Sequence, residues 1–572
     1  MSQRGNQDAC PAADCPVEEG SAASRYAAKE DSINGRAQDR APRANLQLPI
    51  NADREPSVFY CAYWKSMRSE LFFRRRMRRF FLQHGFAIFC SLVVSVAACS
   101  GALAQDAQPD DTPTRAVAAT AHDTDALAQQ TSADAPPAPA AAEPESSDVL
   151  TLFPHSETSR YWISGQANII LQWHGRFPAA YSGTNSFRTA PENTTSKVYT
   201  LFLGYELTHT TEVFLDVESA GGRGLSNALG LAGFTNLDVV RNPSLGDIPY
   251  LARLMVRQII PLSSERVAVE RGPLALATSL PARRLEFRLG KFTIPDFFDE
   301  NTYGNDSHLQ FLNWTVDNDG AYDYAANTRG YTDGAILEYD DHWFSARFGV
   351  MLMPKVANGI NLDADIARAR GENLEFSAAG NRLLHRAGVV RFLSYLNIAD
   401  MGNYEQANEN FLNGEGSTPN IISTRRQGRH KYGFELNFEQ ELPAHLGVFG
   451  RVGWSDGRNE SFAYTEVDRT VETGIFSKGD KWGRKNDRAG AVFVANEIVA
   501  AHQQYLGYGG LGFLLGDGAL TPGPEKIFEG FYTAHLWRGF FASCDFQHIN
   551  NPGYNKARGP VFVPGLRFHV EF

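Results

Sequence analysis

The sequence predicts an all-β fold, a transmembrane antiparallel β-barrel of about 16 strands, preceded by a disordered N-terminal extension. Many segments alternate apolar and polar residues, short turns alternate with long loops, and the chain ends on an aromatic residue. In the last segment, PVFVPGLRFHVEF, the apolar face holds Leu566, Phe568, Val570 and Phe572, and the polar face holds Arg567, His569 and Glu571. A half-buried strand of a soluble β-sandwich shows the same period of two, so the other segments must distinguish the two folds.

The composition excludes a helical membrane transporter. The mean hydropathy is -0.32, and no uncharged stretch of about 20 apolar residues occurs after residue 105. A barrel can have such a low mean hydropathy because each of its strands is apolar on one face and polar on the other. Aromatic residues make up 12% of the chain and glycines 51 of its 572 residues, which favours strands, aromatic girdles and turns over helices.

An export signal is predicted at residues 77–104. The basic run RRRMRR at 74–79 precedes the apolar run FAIFCSLVVSVAA at 86–98, and residues 102–104 form an A-x-A cleavage site. We interpret residues 1–76 as disordered sequence before a true start at Met67 or Met77, or as an unusually long leader. A twin-arginine motif at 78–83 and a lipoprotein-type box at 96–99 overlap the signal, but a barrel is exported unfolded and needs no lipid anchor.

Residues 105–148 are predicted to form a disordered linker, because a segment rich in Ala, Pro, Asp, Thr and Gln cannot bury a core. The barrel is therefore assigned to residues 149–572. Five of the six cysteines precede the cleavage point, so the exported chain keeps only Cys544 and forms no internal disulfide. Without residues 1–104 the chain has 40 basic and 55 acidic groups, a net charge of -15, which argues against nucleic acid as a partner.

Alternating segments recur throughout residues 149–572. In KYGFELNFEQEL, apolar side chains from Tyr432 to Phe438 alternate with polar ones, and WFSARFGVML repeats the pattern from Phe344. Twelve similar segments begin near residues 160, 197, 212, 250, 284, 333, 385, 445, 488, 509, 526 and 539. Together with the two segments above and the C-terminal segment, they make about fifteen strands.

The connections between segments are of two kinds. Short turns lie at 209–212, 340–342, 443–444 and 538–539, whereas long stretches rich in Gly, Asn and Asp lie at 219–249, 294–330, 354–383 and 400–428. Outer-membrane barrels have tight periplasmic turns and long outer loops, and soluble sandwiches rarely show this asymmetry. A barrel of about 16 strands encloses an aqueous channel, whereas one of eight is filled by side chains.

Charged residues on the polar faces are the candidate pore-lining groups. With the predicted strand phases these are Arg253, Arg257, Arg288, Arg347, Arg391 and Arg451, with Glu206, Asp216, Glu286, Glu338, Glu435 and Asp545. A neutral sugar offers hydroxyls and an apolar ring face, so charged groups of both signs and aromatic rings suit it, whereas an anion would need an excess of Lys and Arg. For any single charge, a structural cross-strand ion pair of a wetted wall is the favoured interpretation.

The loop between Ile294 and Arg329 is the candidate constriction. It follows a strand directly and combines aromatic with acidic side chains, among them Asp296, Trp314, Asp317 and Asp319. It would contact sugars if it folded inward, and it would form the outer rim if it did not. The run Asp317-Asn318-Asp319-Gly320 resembles part of an EF-hand calcium loop, but the bidentate Glu is missing at the required spacing, so no metal site is predicted.

Three stretches resemble the carbohydrate-selective porin family of the OprB type. They are LAGFTNLDVVRNPSLGDIPYLARLMVRQ at 231–258, RLGKFTIPDFFDENTYGNDSHLQFLNW at 288–314, and the tail from Gly507 to the final GLRFHVEF. The tail is the most specific, because Pro524-Glu525, Glu529-Gly530-Phe531-Tyr532, Asp545-Phe546-Gln547 and Asn551-Pro552-Gly553 stand in the family's order. The resemblance runs over residues 155–572 and implies a porin of about 16 strands, often trimeric, that passes monosaccharides. The N-terminal extension and Cys544 depart from the family's pattern.

The predicted function is passive, carbohydrate-selective diffusion of monosaccharides such as glucose into the periplasm, across the bacterial outer membrane. The implied partners are monosaccharides, outer-membrane lipid, the barrel-assembly machinery and two further copies of this chain in a homotrimer. A general or anion-selective porin is the nearest alternative, and an outer-membrane enzyme or a structural envelope barrel belongs to other classes. The sequence shows no catalytic spacing, phosphate loop, metal-ligand spacing or cofactor motif, so catalytic residues, metals and cofactors are not predicted.

Overall fold

The computed structural model describes residues 150–239, 245–380 and 385–572. The predicted segments 1–76, 77–104 and 105–148 lie outside the described residues. The first strands are β1 (Tyr161–His174), β2 (Glu192–Thr208), β3 (Thr211–Gly222), β4 (Tyr250–Pro261), β5 (Arg266–Ala268), β6 (Ser279–Pro281), β7 (Arg284–Phe292), β8 (Thr332–Asp341) and β9 (Phe344–Leu352). The others are β10 (Arg370–Gly380), β11 (Gly388–Met401), β12 (Arg426–Leu442), β13 (Leu446–Ser455), β14 (Arg469–Lys478), β15 (Arg488–Glu497), β16 (Glu525–Trp537), β17 (Phe540–Asn550) and β18 (Val561–Glu571).

Helical segments are short and lie in the loops. The α-helices are α1 (Trp314–Asp317), α2 (Tyr404–Leu412) and α3 (Ala500–Gly507). Single 3-10 turns lie at Leu225–Asn227, Ile294–Asp296, Ile422–Thr424, Gly479–Trp482 and Pro552–Tyr554. Within the described residues, none of these helices has the length and apolar character needed to cross a membrane.

Sixteen of the described strands close into one antiparallel barrel, which confirms the predicted fold class. Each barrel strand pairs with the next along the chain, except that β4 pairs with β7 because β5 and β6 form a separate small hairpin. The first and last strands close the ring with Gln166 opposite Glu571, and the backbone N–H of Phe572 donates to the Gly165 carbonyl at 2.9 Å. A closed ring leaves no strand edge with unpaired backbone groups, which is the condition for a sheet in lipid.

The two faces of the barrel differ as the alternation predicts. In β12 the apolar side chains of Phe434 and Leu436 point outward and are 45% and 46% exposed, whereas the inward Glu435 is 3% exposed. The last strand behaves alike, with Phe568 exposed and Arg567 buried. The apolar residues therefore face outward, toward lipid in a membrane, and the charged residues face the lumen.

One predicted strand was wrong, and two observed strands were not predicted. The segment near residue 509 is a loop that follows α3, because Gly509 has a φ of 89° and the chain turns there instead of extending. The predicted long loop at 354–383 contains β10, where Arg370 and Glu372 point outward and pair with each other at 2.6 Å, which obscures the apolar face. β14 was not predicted either, because its outward face mixes Arg469 and Thr473 with apolar residues.

The end of the barrel that carries the short turns has one long insertion that the sequence did not indicate. Residues 262–283 connect β4 to β7 and contain the β5–β6 hairpin. The backbone N–H groups of Leu276 and Ala277 donate to Glu212 Oε1 at 3.1 and 3.0 Å, and Leu276 is buried. The Glu212 carboxylate therefore holds residues 262–283 against this end of the barrel. Glu212 and Leu276 are 64 positions apart, so no local sequence pattern indicates their contact.

The seam between β1 and β18 can be tested at Gly165. A Cβ there would lie 2.6 Å from Phe572 Cε2 and 2.9 Å from the Thr200 carbonyl oxygen. We expect Gly165→Ala to lower the free energy of unfolding by about 1–3 kcal/mol, because the seam must shift to admit the methyl group. Urea unfolding of the barrel in detergent measures this. Gly175→Ala is the matched control, since no other atom lies within 4 Å of its Cβ position, and equal stability of the two variants would contradict the prediction.

Candidate functional site

A long connection between β7 and β8 crosses the barrel lumen, and we call residues 293–331 the inner loop. Arg567 of β18 donates from Nη1 to the Ser307 carbonyl at 2.7 Å and from Nη2 to the Gln310 carbonyl at 2.8 Å. Arg451 of β13 donates to the Val316 carbonyl at 2.8 Å. The loop leaves one wall and binds the strands of the opposite wall, so it lies within the barrel and not on its rim.

Carboxylates of the wall accept the backbone N–H groups of the inner loop. Glu375 accepts from Asp299 N at 2.8 Å, and Glu439 accepts from Thr302 N at 2.6 Å. On the opposite wall, Glu529 accepts from Leu312 N at 2.5 Å. Irregular backbone inside a barrel has no ladder partner, so charged acceptors of this kind supply the missing hydrogen bonds.

Asp299 and Arg451 form the central attachment of the inner loop. The Arg451 Nε donates to Asp299 Oδ1 at 2.6 Å, and Asn437 Nδ2 donates to the same oxygen at 2.7 Å. The other oxygen, Oδ2, accepts from Asp319 N at 2.7 Å. Asp299 has a φ of 58°, a left-handed backbone conformation that is uncommon outside glycine, and its side-chain bonds hold it there.

Most of the predicted pore-lining arginines belong to a network of buried ion pairs on the wall. Arg257 bonds Glu286 at 2.7 Å and Arg288 bonds the same carboxylate at 2.5 Å. Arg347 bonds Glu338 at 2.6 Å, and Arg391 bonds Glu439 at 3.4 Å. All four arginine side chains are at most 5% exposed. Their inward position agrees with the sequence, and the ion pairs fix their side chains in place.

Arg253 and Asp296 form a more accessible pair, with each side chain 11% exposed. Arg253 Nε and Nη2 donate to the two Asp296 oxygens at 2.7 Å each, and Nη1 donates to Asp216 at 3.1 Å. The guanidinium also lies 5.6 Å from the ring centroid of Tyr331. This arrangement combines a planar charged pair with an aromatic ring at the edge of the lumen.

The other predicted residues of the loop are enclosed. Trp314 donates from Nε1 to the Asn236 carbonyl at 2.7 Å and stacks on Tyr464 with ring centroids 5.9 Å apart. Burial raises the pKa of Asp317 to about 7 and the pKa of Asp319 to about 8. These three side chains therefore pack into the protein, and their assignment as sugar contacts stays a prediction.

Several residues of the site were not among the predicted candidates. Tyr250 and Tyr331 both donate to the Glu218 carboxylate, Tyr331 at 3.0 Å, and the Arg329 guanidinium lies 3.9 Å from the Tyr250 ring centroid. Burial raises the pKa of Glu300 to about 7. Glu218 lies on β3 and Tyr250 on β4, so no local pattern connects them with the loop. The aromatic and acidic composition of the loop could have indicated only Tyr331 and Glu300.

The Arg451 attachment can be tested by removing its charge. Arg451→Gln leaves Asp299 buried without a counter-charge, so we expect a loss of about 3–5 kcal/mol in the free energy of unfolding. Urea unfolding in detergent measures the loss, and limited proteolysis reports the release of the loop. Arg188→Gln is the control, because the Arg188 side chain of the Arg188–Glu192 pair is 53% exposed and such a pair contributes at most about 1 kcal/mol. Similar losses in both variants would contradict the central role of Arg451.

Comparison with known proteins supports the resemblance seen in the sequence. The family model described as carbohydrate-selective porin, OprB family, matches residues 186–572. The high-pH structure of Pseudomonas putida OprB matches with a TM-score of 0.53 and 15% identity, over 72% of this chain and 94% of that chain. The low-pH structure of the same protein has a TM-score of 0.39 and 11% identity, over 72% and 92% of the two chains. No curated protein sequence matches this chain.

The similarity to the high-pH structure shows the fold alone, since the identity is 15%. The family model carries the assignment, because it covers more than half of the chain and includes the inner loop and the C-terminal strands. The fold and the family are those of a transport channel of the bacterial outer membrane. The chain belongs to the OprB family of carbohydrate-selective porins.

Proposed function

We propose that this chain is a passive channel for monosaccharides such as glucose and that the inner loop forms its constriction. The observation that carries the proposal is the path of the loop across the lumen, from the β7–β8 wall to Arg451 and Arg567 on the far wall. A loop in this position narrows an otherwise wide barrel of sixteen strands. A narrow passage favours small solutes over oligosaccharides.

The charge arrangement of the lumen suits a neutral solute. The wall arginines are compensated by carboxylates, as in the Arg288–Glu338 pair at 2.6 Å. Arg347 Nε and Arg391 Nη1 have no hydrogen-bond partner among the described residues, but both nitrogens are buried, so we assign neither to direct contact with a sugar. The partly exposed polar groups of the lumen supply the weak, reversible contacts that let a solute enter and leave a channel.

Arg253 and Asp296 are the proposed first contacts of the sugar. The pair is more accessible than the Arg257 and Arg347 pairs, and Tyr331 supplies a ring beside it. Sugar recognition combines planar hydrogen-bonding groups with aromatic faces. The other candidates shape the passage around this pair. They are Arg257, Arg288, Arg347, Arg391, Arg451, Glu286, Trp314, Asp317 and Asp319.

The cellular setting is part of the proposal. The chain is exported with a signal at residues 77–104 that is cleaved. The end of the barrel with the short turns faces the periplasm, and the barrel-assembly machinery recognises Phe572. The apolar outer face provides the surface for lipid and for a homotrimer. The exposed aromatic residues Trp343 and Trp537 lie at the short-turn end, as expected at a membrane interface.

Liposome swelling tests the function directly. Purified protein reconstituted into liposomes should speed swelling in glucose or xylose above that of empty vesicles, and larger oligosaccharides should enter much more slowly. No acceleration in any monosaccharide would overturn the proposal. Planar-bilayer recordings separate a general or anion-selective porin, since a sugar channel should be blocked by monosaccharides and show weak ion selectivity.

The proposed sugar contact can be tested by exchanging its charges. Asp296→Ala removes one partner and should weaken the block of ion current by glucose about fivefold, the effect of losing roughly one hydrogen bond of 1 kcal/mol. The double variant Arg253→Asp with Asp296→Arg keeps a charged pair and should recover part of the block. Asp365→Ala, on an exposed loop residue, is the control. An unchanged glucose affinity in Asp296→Ala would remove this pair from the site.

A further inference from the structure

A surplus of carboxyl groups surrounds Arg451. Asp299 and Asp319 come from the inner loop, Glu435 from β12 and Glu472 from β14, and each is at most 3% exposed. Among the described residues Arg451 is the cation of this group: it lies 2.6 Å from Asp299, 3.1 Å from Glu472 and 4.0 Å from Glu435, and Asp319 has no ion pair of its own. If all four were ionised, three negative charges would be buried without compensation, which is strongly unfavourable.

The guanidinium of Arg451 has no capacity for more carboxylates. Its Nε donates to Asp299 Oδ1 at 2.6 Å, and its Nη1 donates to the Val316 carbonyl at 2.8 Å and to Glu472 Oε1 at 3.1 Å. Its Nη2 donates to the Asp299 carbonyl at 3.2 Å. Glu435 Oε1 is 4.0 Å from Nε, which is beyond hydrogen-bonding distance. Glu435 therefore needs another source of stabilisation.

Several carboxyl oxygens of the group have no hydrogen-bond partner. They are both oxygens of Glu435, Oδ2 of Asp319 and Oε2 of Glu472. The Glu435 carboxyl lies within reach of the Asp299 carboxyl. Two ionised carboxylates cannot bond because neither carries a hydrogen, whereas one proton between them supplies a short, charge-assisted hydrogen bond.

Asp319 and Glu435 both lie next to Gly453. Glu435 faces Gly453 across the β12–β13 ladder, and a Cβ on Gly453 would lie 2.1 Å from Asp319 Oδ1. Because Gly453 has no side chain, the Asp319 carboxyl of the inner loop packs directly on β13, next to the residue that pairs with Glu435. Negative charge on both groups would push the loop away from β13.

We propose that the carboxyl cluster around Arg451 binds protons at neutral pH through Asp319, Glu435 and Glu472 and releases them at alkaline pH, which loosens the inner loop and widens the channel. The inference rests on the proposed role of the loop as the constriction. It adds regulation of the channel by the proton concentration of the medium. The titratable and charged groups that face the cluster from the packed elements are Arg451, Asp317, Tyr322, Tyr324, Glu375 and Tyr464.

The direction of the pH dependence follows from proton linkage. Burial raises the pKa of Asp319 from 3.8 to about 8. A group whose folded-state pKa is raised stabilises the folded loop in acid, and that stability is lost as pH rises toward and through the folded value. The loop should therefore be held tightly at about pH 6 and loosely at about pH 9.

Single-channel recording in planar bilayers tests the proposal. We expect the conductance of the unaltered protein to rise about twofold between about pH 6 and about pH 9. Glu435→Gln has nearly the shape of the protonated group and cannot ionise, so it should keep the low conductance across this range. Asp319→Asn should do the same and serves if Glu435→Gln does not assemble. Glu409→Gln, on the exposed face of α2, should retain the rise.

The outcomes separate this inference from the proposed function. A conductance that does not change with pH would overturn the inference, and so would a rise that persists in both Glu435→Gln and Asp319→Asn. If added Ca²⁺ restores the low conductance of the unaltered protein at alkaline pH but not that of Glu435→Gln, the cluster is a cation site and the proton proposal is wrong. Sugar-driven swelling without pH dependence contradicts only this inference, whereas no swelling at any pH contradicts the proposed function.

Discussion

The closure of β1 against β18 is the constraint on which the rest of the structure depends. Backbone groups in lipid have no water to bind, so the sheet must leave no open edge, and the ladder from Gln166 opposite Glu571 to Gln172 opposite Gly565 meets this condition. Closure separates an outer face in contact with lipid from an inner face that holds the charges. The polar residues of each strand thereby become the wall of a single lumen, into which a loop can fold.

The inner loop occupies part of the lumen that this wall encloses. Its backbone needs partners that a sheet would otherwise supply, and the wall provides them as carboxylates such as Glu375 and Glu529. The same wall holds its own arginines in ion pairs, so the lumen is charged but largely compensated. Around Arg451 the balance differs, because four carboxyl groups surround one guanidinium. Proton binding at that point links the attachment of the loop to pH.

The sequence predicted the strands whose outer face is uniformly apolar, such as β12 with Phe434 and Leu436. It missed β10, whose outward Arg370 and Glu372 pair with each other, and it placed a strand near residue 509 where glycine turns the chain. Tertiary pairing decides such segments, since period two is a local signal and ion pairing is not. The inward position of Arg253 and Arg451 was predictable from strand phase, but their different accessibility was not.

Alternation of apolar and polar residues indicates the class of the molecule and the inward and outward faces of most strands. The order of residues in the tail indicates its family. These features depend on alternation and on motifs that are contiguous in the chain. Only the tertiary structure decided that the inner loop lies in the lumen, that Trp314 is packed against Tyr464, and that Asp319 and Glu435 both lie next to Gly453. The physical reason is that these contacts join residues more than 100 positions apart, and their geometry exists only once the barrel has closed.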